Sequence, residues 1–123
     1  MRAQIGEQTL QGRLLVAEFR RAEMKVQVAT TKAAYARGET DDATWVWNPG
    51  RKVLCTGDLF IWASPNCGNP QKVQRYPREW AIGLRKMAVL GAEVLLPGHG
   101  LPILGHDRIT QACNDAAELL ECL

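Results

Sequence analysis

The sequence of 123 residues predicts an α/β fold in which helices cover a β-sheet. Two short apolar segments, residues 43–47 and 52–56, flank a proline-glycine turn and predict a pair of strands. Two amphipathic segments, residues 77–91 and 107–120, predict helices, and the apolar segment 93–96 between them predicts another strand. The predicted order is therefore strand, strand, helix, strand, helix.

The first two strands are predicted to form a β-hairpin. Trp45 and Trp47 alternate with Val46, which places the two indoles on one face of the strand. Residues 48–51 contain proline followed by glycine, a combination that favours a tight turn. The continuous apolar segment 52–56 is typical of a buried strand, and the hairpin is predicted to end at Gly57 and Asp58.

Both helices have recognisable ends. Pro77 suits the first helical position, and Gly91 is a typical residue for ending that helix. The last helix is predicted to begin with Asp107 as its cap. The apolar faces are predicted to consist of Trp80, Leu84, Met87 and Gly91 in the first helix and Ile109, Cys113, Ala116 and Leu120 in the last. The strand between the helices is predicted to break at the Pro-Gly-His-Gly of residues 97–100.

The chain divides by character into two segments. Residues 1–35 are predicted to contain an amphipathic helix at 7–24 and a short strand at 25–31, with no catalytic signature. Residues 36–123 contain all of the elements described above.

Composition excludes several classes of protein. An apolar fraction of 46% and a charged fraction of 23% are those of a folded, water-soluble protein. A net charge of +2 argues against nucleic-acid binding, and no apolar segment has the length of a membrane span. The amino-terminal sequence does not resemble an export signal, so a cytoplasmic location and four reduced cysteines are expected.

Three polar residues stand where predicted strands end, and these are the candidate site. They are Glu39, Asp58 and His99. Two carboxylates and an imidazole are suitable ligands for zinc. Spacing alone leaves other interpretations open, because Asp58 is also typical of a turn or cap, Glu39 of a solvated surface and His99 of a structural histidine.

The segment GETDDATWVWNPGRKVLCTGDLF, together with EVLLPGHG, resembles the carboxyl-terminal half of a metallo-β-lactamase-fold hydrolase. The resemblance covers residues 36–123. It implies one ββα-type half of an αββα sandwich, in which Asp58 would bridge two zinc ions and His99 would be the last histidine ligand. Glu39 stands where most members have a histidine, and this substitution is similar to the alkyl sulfatases.

The segment SPNCGNPQKVQRYPREW resembles the alkyl-sulfatase-like branch in particular. It implies that Arg75 contacts the sulfate of the substrate, and a guanidinium suits that role geometrically. An arginine near a helix start is also commonly paired with an acid such as Glu79. Trp62, in the loop after Asp58, is either a packing residue or a wall of the substrate pocket.

The family's histidine-rich first motif is not present, because His99 and His106 are the only histidines. The resemblance therefore implies a fragment of a binuclear zinc hydrolase of sulfate esters that is inactive alone and binds zinc weakly or not at all. The alternatives are a non-catalytic remnant or interaction module, and a hydrolase of thioesters or lactones with the same fold. A lone half would leave one apolar sheet face uncovered, so self-association is expected.

Overall fold

The computed structural model describes Arg21 and residues 31–63 and 75–123. By their internal contacts the residues divide into two units, Met1–Thr31 and Lys32–Leu123, whereas the sequence places the division after residue 35. Apart from Arg21 and Thr31, the predicted helix at 7–24 and the predicted strand at 25–31 lie outside the described residues. The following description concerns the second unit.

This unit contains five strands and two helices among its described residues. In chain order they are β1 (Lys32–Tyr35), β2 (Thr44–Asn48), β3 (Val53–Ile61), α1 (Pro77–Ala88), β4 (Val94–His99), β5 (Ile103–Leu104) and α2 (His106–Glu121). The strands form one mixed sheet in the order β1-β2-β3-β4-β5. β3 and β4 are parallel and are connected through α1, while the other neighbouring pairs are antiparallel. The predicted α/β class is confirmed.

One face of the sheet forms the core. Four residues in register across four strands are all buried on this face: Trp47, Leu54, Leu95 and Ile103. The two helices pack against them with an apolar face each. The buried residues are Trp80, Ala81, Gly83, Leu84, Met87 and Ala88 in α1 and Ile109, Cys113, Ala117 and Leu120 in α2. Burial of these apolar side chains is the main stabilising contribution to the unit.

The opposite face of the sheet is apolar too. Ala33, Val46, Cys55 and Leu96 are in register across β1 to β4, on the side away from the buried tryptophans. None of the four is fully buried. Residues that are partners in register point to the same side of a sheet, so these side chains form one continuous stripe.

Two strand predictions are wrong in extent. β3 does not end at Gly57 and Asp58 but continues to Ile61, because the pairing with β4 resumes after the register shifts on both sides of Gly57, whose φ is 52°. β4 is not broken at Pro97 but continues to His99. A strand tolerates proline where its hydrogen-bond ladder is irregular, and Pro97 pairs with Gly57 at this register shift. β1 and β5 had no counterpart in the predicted order.

The helix ends differ from prediction by a few residues. Pro77 is the first residue of α1 as predicted, but the helix ends at Ala88 and not at Gly91. α2 begins at His106 after Gly105, so Asp107 lies in the first turn and is not the cap. A carboxylate there still interacts favourably with the helix dipole. Neither α1 nor α2 is long and apolar enough to cross a membrane.

Candidate functional site

Asp58 lies at an irregular point of β3. The positive φ of Gly57 interrupts regular pairing with β4, and the register shifts on both sides of it. Thr56, fully buried just before, uses its hydroxyl to donate to the carbonyl oxygen of Gly57 at 3.1 Å. The buried strand therefore holds the backbone firmly, while the Asp58 side chain, 49% exposed, reaches the surface.

His99 is brought to Asp58 by the parallel pairing of β3 and β4. The Nε2 atom of His99 lies 3.3 Å from Oδ1 of Asp58, and the imidazole is 76% exposed. Gly98 allows this approach, because a Cβ atom there would lie 2.6 Å from the carbonyl carbon of Gly57 and would also collide with the Asp58 carboxylate. Only glycine fits between the two strands at this point.

The 3.3 Å separation is that of a direct imidazole–carboxylate contact, and it is also compatible with two ligands of one zinc ion. Two ligand atoms bound to one tetrahedral zinc at about 2.0–2.1 Å lie about 3.3 Å apart. Imidazole nitrogen and carboxylate oxygen are ordinary zinc ligands. Asp58 and His99 therefore fit two adjacent positions around a metal ion, with exposed side chains that leave room for further ligands.

Glu39 lies in the loop between β1 and β2. This loop is closed by a hydrogen bond from Ala36 N to Ala43 O of 2.9 Å. Gly38 fits closely against the core, since a Cβ atom there would lie 2.6 Å from Leu59 Cδ2. The loop is also tied to the residue before α1, because Tyr76 N donates to Gly38 O at 3.2 Å. The position of Glu39 is thus fixed by the hydrogen bond within its own loop and by the contacts of Gly38 with Leu59 and Tyr76.

Arg75 is paired with Glu39. Its Nη1 atom lies 3.0 Å from Glu39 Oε1 and also donates to the carbonyl oxygen of Glu39. The Arg75 side chain is only 10% exposed and that of Glu39 28%. The buried Nε–H of Arg75 has no hydrogen-bond partner within the described part of the chain. The acid that pairs with Arg75 is Glu39, not Glu79.

Glu39 and Asp58 line one cleft of about 340 Å³. Its other walls are Thr40, Ala43, Thr44, Thr56 and Gly57. The hydroxyl groups of Thr44 and Thr56 already donate to backbone carbonyl oxygens, those of Asp42 and Gly57 respectively. The sequence does not distinguish these threonines as cleft residues, because threonine in a β-rich segment is equally typical of a strand.

The structure brings part of the predicted constellation together. Asp58 and His99 are in contact, and Glu39 shares the cleft with Asp58 while its carboxylate pairs with Arg75. Across residues 31–63 and 75–123, no three His, Cys, Asp or Glu side chains come close enough together to hold a metal ion. The described residues therefore bring two potential metal donors together, Asp58 and His99, and the ligand roles of Asp58, His99 and Glu39 all stay predictions.

Trp62 links the ends of β3 and β4. Its indole Nε1–H donates to the carbonyl oxygen of Leu101 at 2.6 Å, and its ring lies against Gly100, where a Cβ atom would be 3.0 Å from Trp62 Cγ. Trp62 is 59% exposed and forms one wall of a second cleft, between β5 and α2. Gly100, the residue that follows His99, is therefore held in place by the Trp62 indole.

Comparison of the sequence with protein-family models gives no match, and comparison with curated proteins gives none either. Solved structures do match. A stereoselective inverting sec-alkylsulfatase from Pseudomonas sp. is similar over 74% of this chain, with 23% identity and a TM-score of 0.64. A metallo-β-lactamase family protein from Thermus thermophilus matches over 75% with 22% identity and a TM-score of 0.60.

A metallo-β-lactamase from Pontibacter korlensis is also similar, with 21% identity over 76% of this chain and a TM-score of 0.57. In every case the match spans only part of the solved protein. It covers 15% of the sulfatase, 30% of the Thermus protein and 42% of the Pontibacter enzyme. The described part of this chain thus has part of the metallo-β-lactamase fold, as its sequence motifs imply.

Proposed function

We propose that this chain carries one side of the active site of a metal-dependent hydrolase that acts on sulfate esters. The observation that supports the proposal most directly is the contact between Asp58 and His99 at the edge of the cleft. Their donor atoms have the spacing of two zinc ligands. The fold similarity to a sec-alkylsulfatase favours a sulfate ester as the substrate.

Arg75 would supply recognition of the sulfate group. A guanidinium binds an oxyanion through parallel N–H donors, which a lysine cannot do with the same geometry. Zinc, when bound, would supply the positive charge that activates water and polarises the ester. In this proposal Asp58 and His99 bind the metal, with Glu39 as a further metal ligand. Arg75 neutralises the negative charge of the departing sulfate.

The chain alone is expected to be inactive. Catalytic zinc sites normally use three protein ligands per ion, whereas Asp58 and His99 provide two. The remaining ligands would have to come from a histidine-rich segment, which the 123 residues do not contain. Hydrolysis would therefore require a complementary segment that completes the site.

Ligand binding and turnover of the purified chain test this proposal. With zinc present, octyl sulfate should bind without measurable hydrolysis, and His99→Ala should weaken that binding. An aliphatic thioester and a lactone serve as competing ligands, and preferential binding of either one would favour the other hydrolase class. Octyl sulfate hydrolysis that His99→Ala abolishes would contradict the expected inactivity.

A non-catalytic module that retains the fold is the second candidate function. It is favoured by the finding that three metal-binding side chains do not converge in the part of the chain described. Zinc stoichiometry separates the two candidates. Two tightly bound equivalents per chain favour an assembled active centre, while one weak equivalent or none favours the module. A cytoplasmic location is proposed for either one.

Self-association through the second apolar face of the sheet is also proposed. The stripe Ala33, Val46, Cys55 and Leu96 is apolar and incompletely buried, and such surfaces normally mark an interface. Sedimentation at several concentrations should show dimers or larger species, and Leu96→Lys should shift the distribution towards the monomer. A monomer that persists at high concentration would contradict this proposal.

A further inference from the structure

The ion pair between Glu39 and Arg75 connects the two halves of the proposed site. Arg75 is the group expected to bind the sulfate, and Glu39 is an expected neighbour of the metal. In the structure these two side chains form an ion pair with each other, with Nη1 of Arg75 3.0 Å from Oε1 of Glu39. The cation next to Glu39 is therefore the guanidinium of Arg75.

A metal ion and Arg75 compete for Glu39. A cation that approaches the carboxylate meets the positive charge of the guanidinium, and like charges at this separation repel. Both side chains are largely shielded from solvent, so the repulsion is weakly screened. Strong binding of a metal by Glu39 therefore requires Arg75 to move away.

An oxyanion and Glu39 compete for Arg75. Nη1 already contacts both the carboxylate and the carbonyl oxygen of Glu39, and the Nε atom is closed to solvent without a partner in the described residues. An oxyanion can reach the Nε–H only if the guanidinium turns out of its present position. That same movement releases the Glu39 carboxylate. A buried N–H group without a partner is unfavourable, so an oxyanion that satisfies it would be bound favourably.

From these two competitions we infer that Arg75 couples oxyanion binding to metal binding at Glu39. The inference rests on the proposed function, because it assumes that a metal binds near Asp58 and His99. A sulfate group that withdraws Arg75 frees Glu39 for the metal, and the metal in turn frees Arg75 for the sulfate. By thermodynamic linkage the two effects are equal in size. The site thus binds the metal most tightly when the anionic substrate is present.

Calorimetric titration of the 123-residue chain with zinc tests the coupling. The zinc dissociation constant is measured in sodium sulfate and in sodium chloride at equal ionic strength. Sulfate should tighten zinc binding by a factor within the usual range of such couplings, roughly 5–150-fold. Arg75→Gln should bind zinc more tightly than the unchanged chain in chloride, and its affinity should not respond to sulfate.

Arg85→Gln is the matched control. Arg85 forms an ion pair with Glu121 of 2.7 Å between the two helices, remote in sequence from Glu39, and its loss should leave the response to sulfate intact. Circular dichroism establishes that each variant is folded. If Arg75→Gln does not fold, Glu39→Gln replaces it, because removing the carboxylate should strengthen sulfate binding in the absence of zinc and abolish the coupling.

The outcomes separate the coupling from the proposed function. Zinc binding that is equally strong with and without sulfate overturns the coupling alone. A response to sulfate that persists in Arg75→Gln overturns the role of Arg75. Absence of zinc binding in every form of the chain overturns both the coupling and the metal-dependent function.

Discussion

The imidazole Nε2 of His99 and the carboxylate Oδ1 of Asp58 lie 3.3 Å apart on two parallel strands. The parallel pairing brings residues 57–61 of β3 beside residues 97–99 of β4. Here the contact depends on two local departures from regular strand structure, the positive φ of Gly57 and the missing side chain of Gly98.

Gly98→Ala is predicted to disturb the site and the sheet together. The new Cβ atom would lie 2.6 Å from the Gly57 carbonyl carbon and 2.8 Å from the Asp58 backbone nitrogen, so β3 and β4 must separate. Overpacking of this kind should lower the free energy of unfolding by about 1–3 kcal/mol, which urea unfolding measures. Gly83→Ala is the control. Gly83 lies in α1, and a Cβ atom there would be 3.4 Å from Ala36 Cβ, an ordinary contact. The free energy of unfolding of this variant should rise by about 0.5–1 kcal/mol through helix propensity. Equal stability of the two variants would contradict this prediction.

Trp80→Phe should destabilise the chain through a buried hydrogen bond. The indole Nε1–H of Trp80 donates to the carbonyl oxygen of Leu59 at 2.7 Å, and Trp80 is almost fully buried. Phenylalanine leaves that carbonyl without its donor and leaves space in the core, which together cost about 2–3 kcal/mol. Trp62→Phe removes an exposed indole and should cost no more than about 1 kcal/mol. Urea unfolding of the two variants tests the contrast, which fails if Trp62→Phe is the more destabilising.

The buried thiol of Cys113 predicts a loss of stability at high pH. Burial raises the pKa of Cys113 to about 12. The unfolded chain releases this proton at lower pH, at about 8–9, so the folded state binds more protons between pH 9 and pH 12. The free energy of unfolding should therefore fall over this range, by up to about 1.4 kcal/mol per pH unit from this group.

Cys113→Ala removes that contribution, so its free energy of unfolding should depend less steeply on pH above pH 9. Unfolding by urea at pH 8.5, 9.5 and 10.5 measures the two slopes. Identical slopes would show that the Cys113 thiol is not protected from ionisation. In native conditions Cys113 should also react with iodoacetamide more slowly than the exposed thiol of Cys122.

The sequence predicts those parts of the fold that rest on local periodicity. The buried faces of Trp45 and Trp47, and of Trp80, Leu84 and Met87, follow from alternation and helical spacing, and the structure confirms them. β5 has only two residues, too few to show a period. The extension of β3 beyond Gly57 depends on pairing with β4, which local patterns do not reveal.

The candidate site was predictable in its residue types but not in its pairing. Asp58 and His99 stand out because a carboxylate and an imidazole follow apolar strands, and the structure places them in contact. The pairing of Glu39 with Arg75 joins two loops far apart in the chain. Nothing in the local sequence around Arg75 distinguishes Glu39 from Glu79 as its partner.

Zinc affinity of the purified chain tests the central claim most directly, with the two histidines as a matched pair. The claim is that Asp58 and His99 together bind a metal ion. His99→Ala should weaken zinc binding at least about tenfold, since loss even of a supporting residue costs 10–100-fold. His106→Ala, at the start of α2, should leave the affinity unchanged. Equal zinc affinity of the His99→Ala variant and the unchanged chain would contradict the claim.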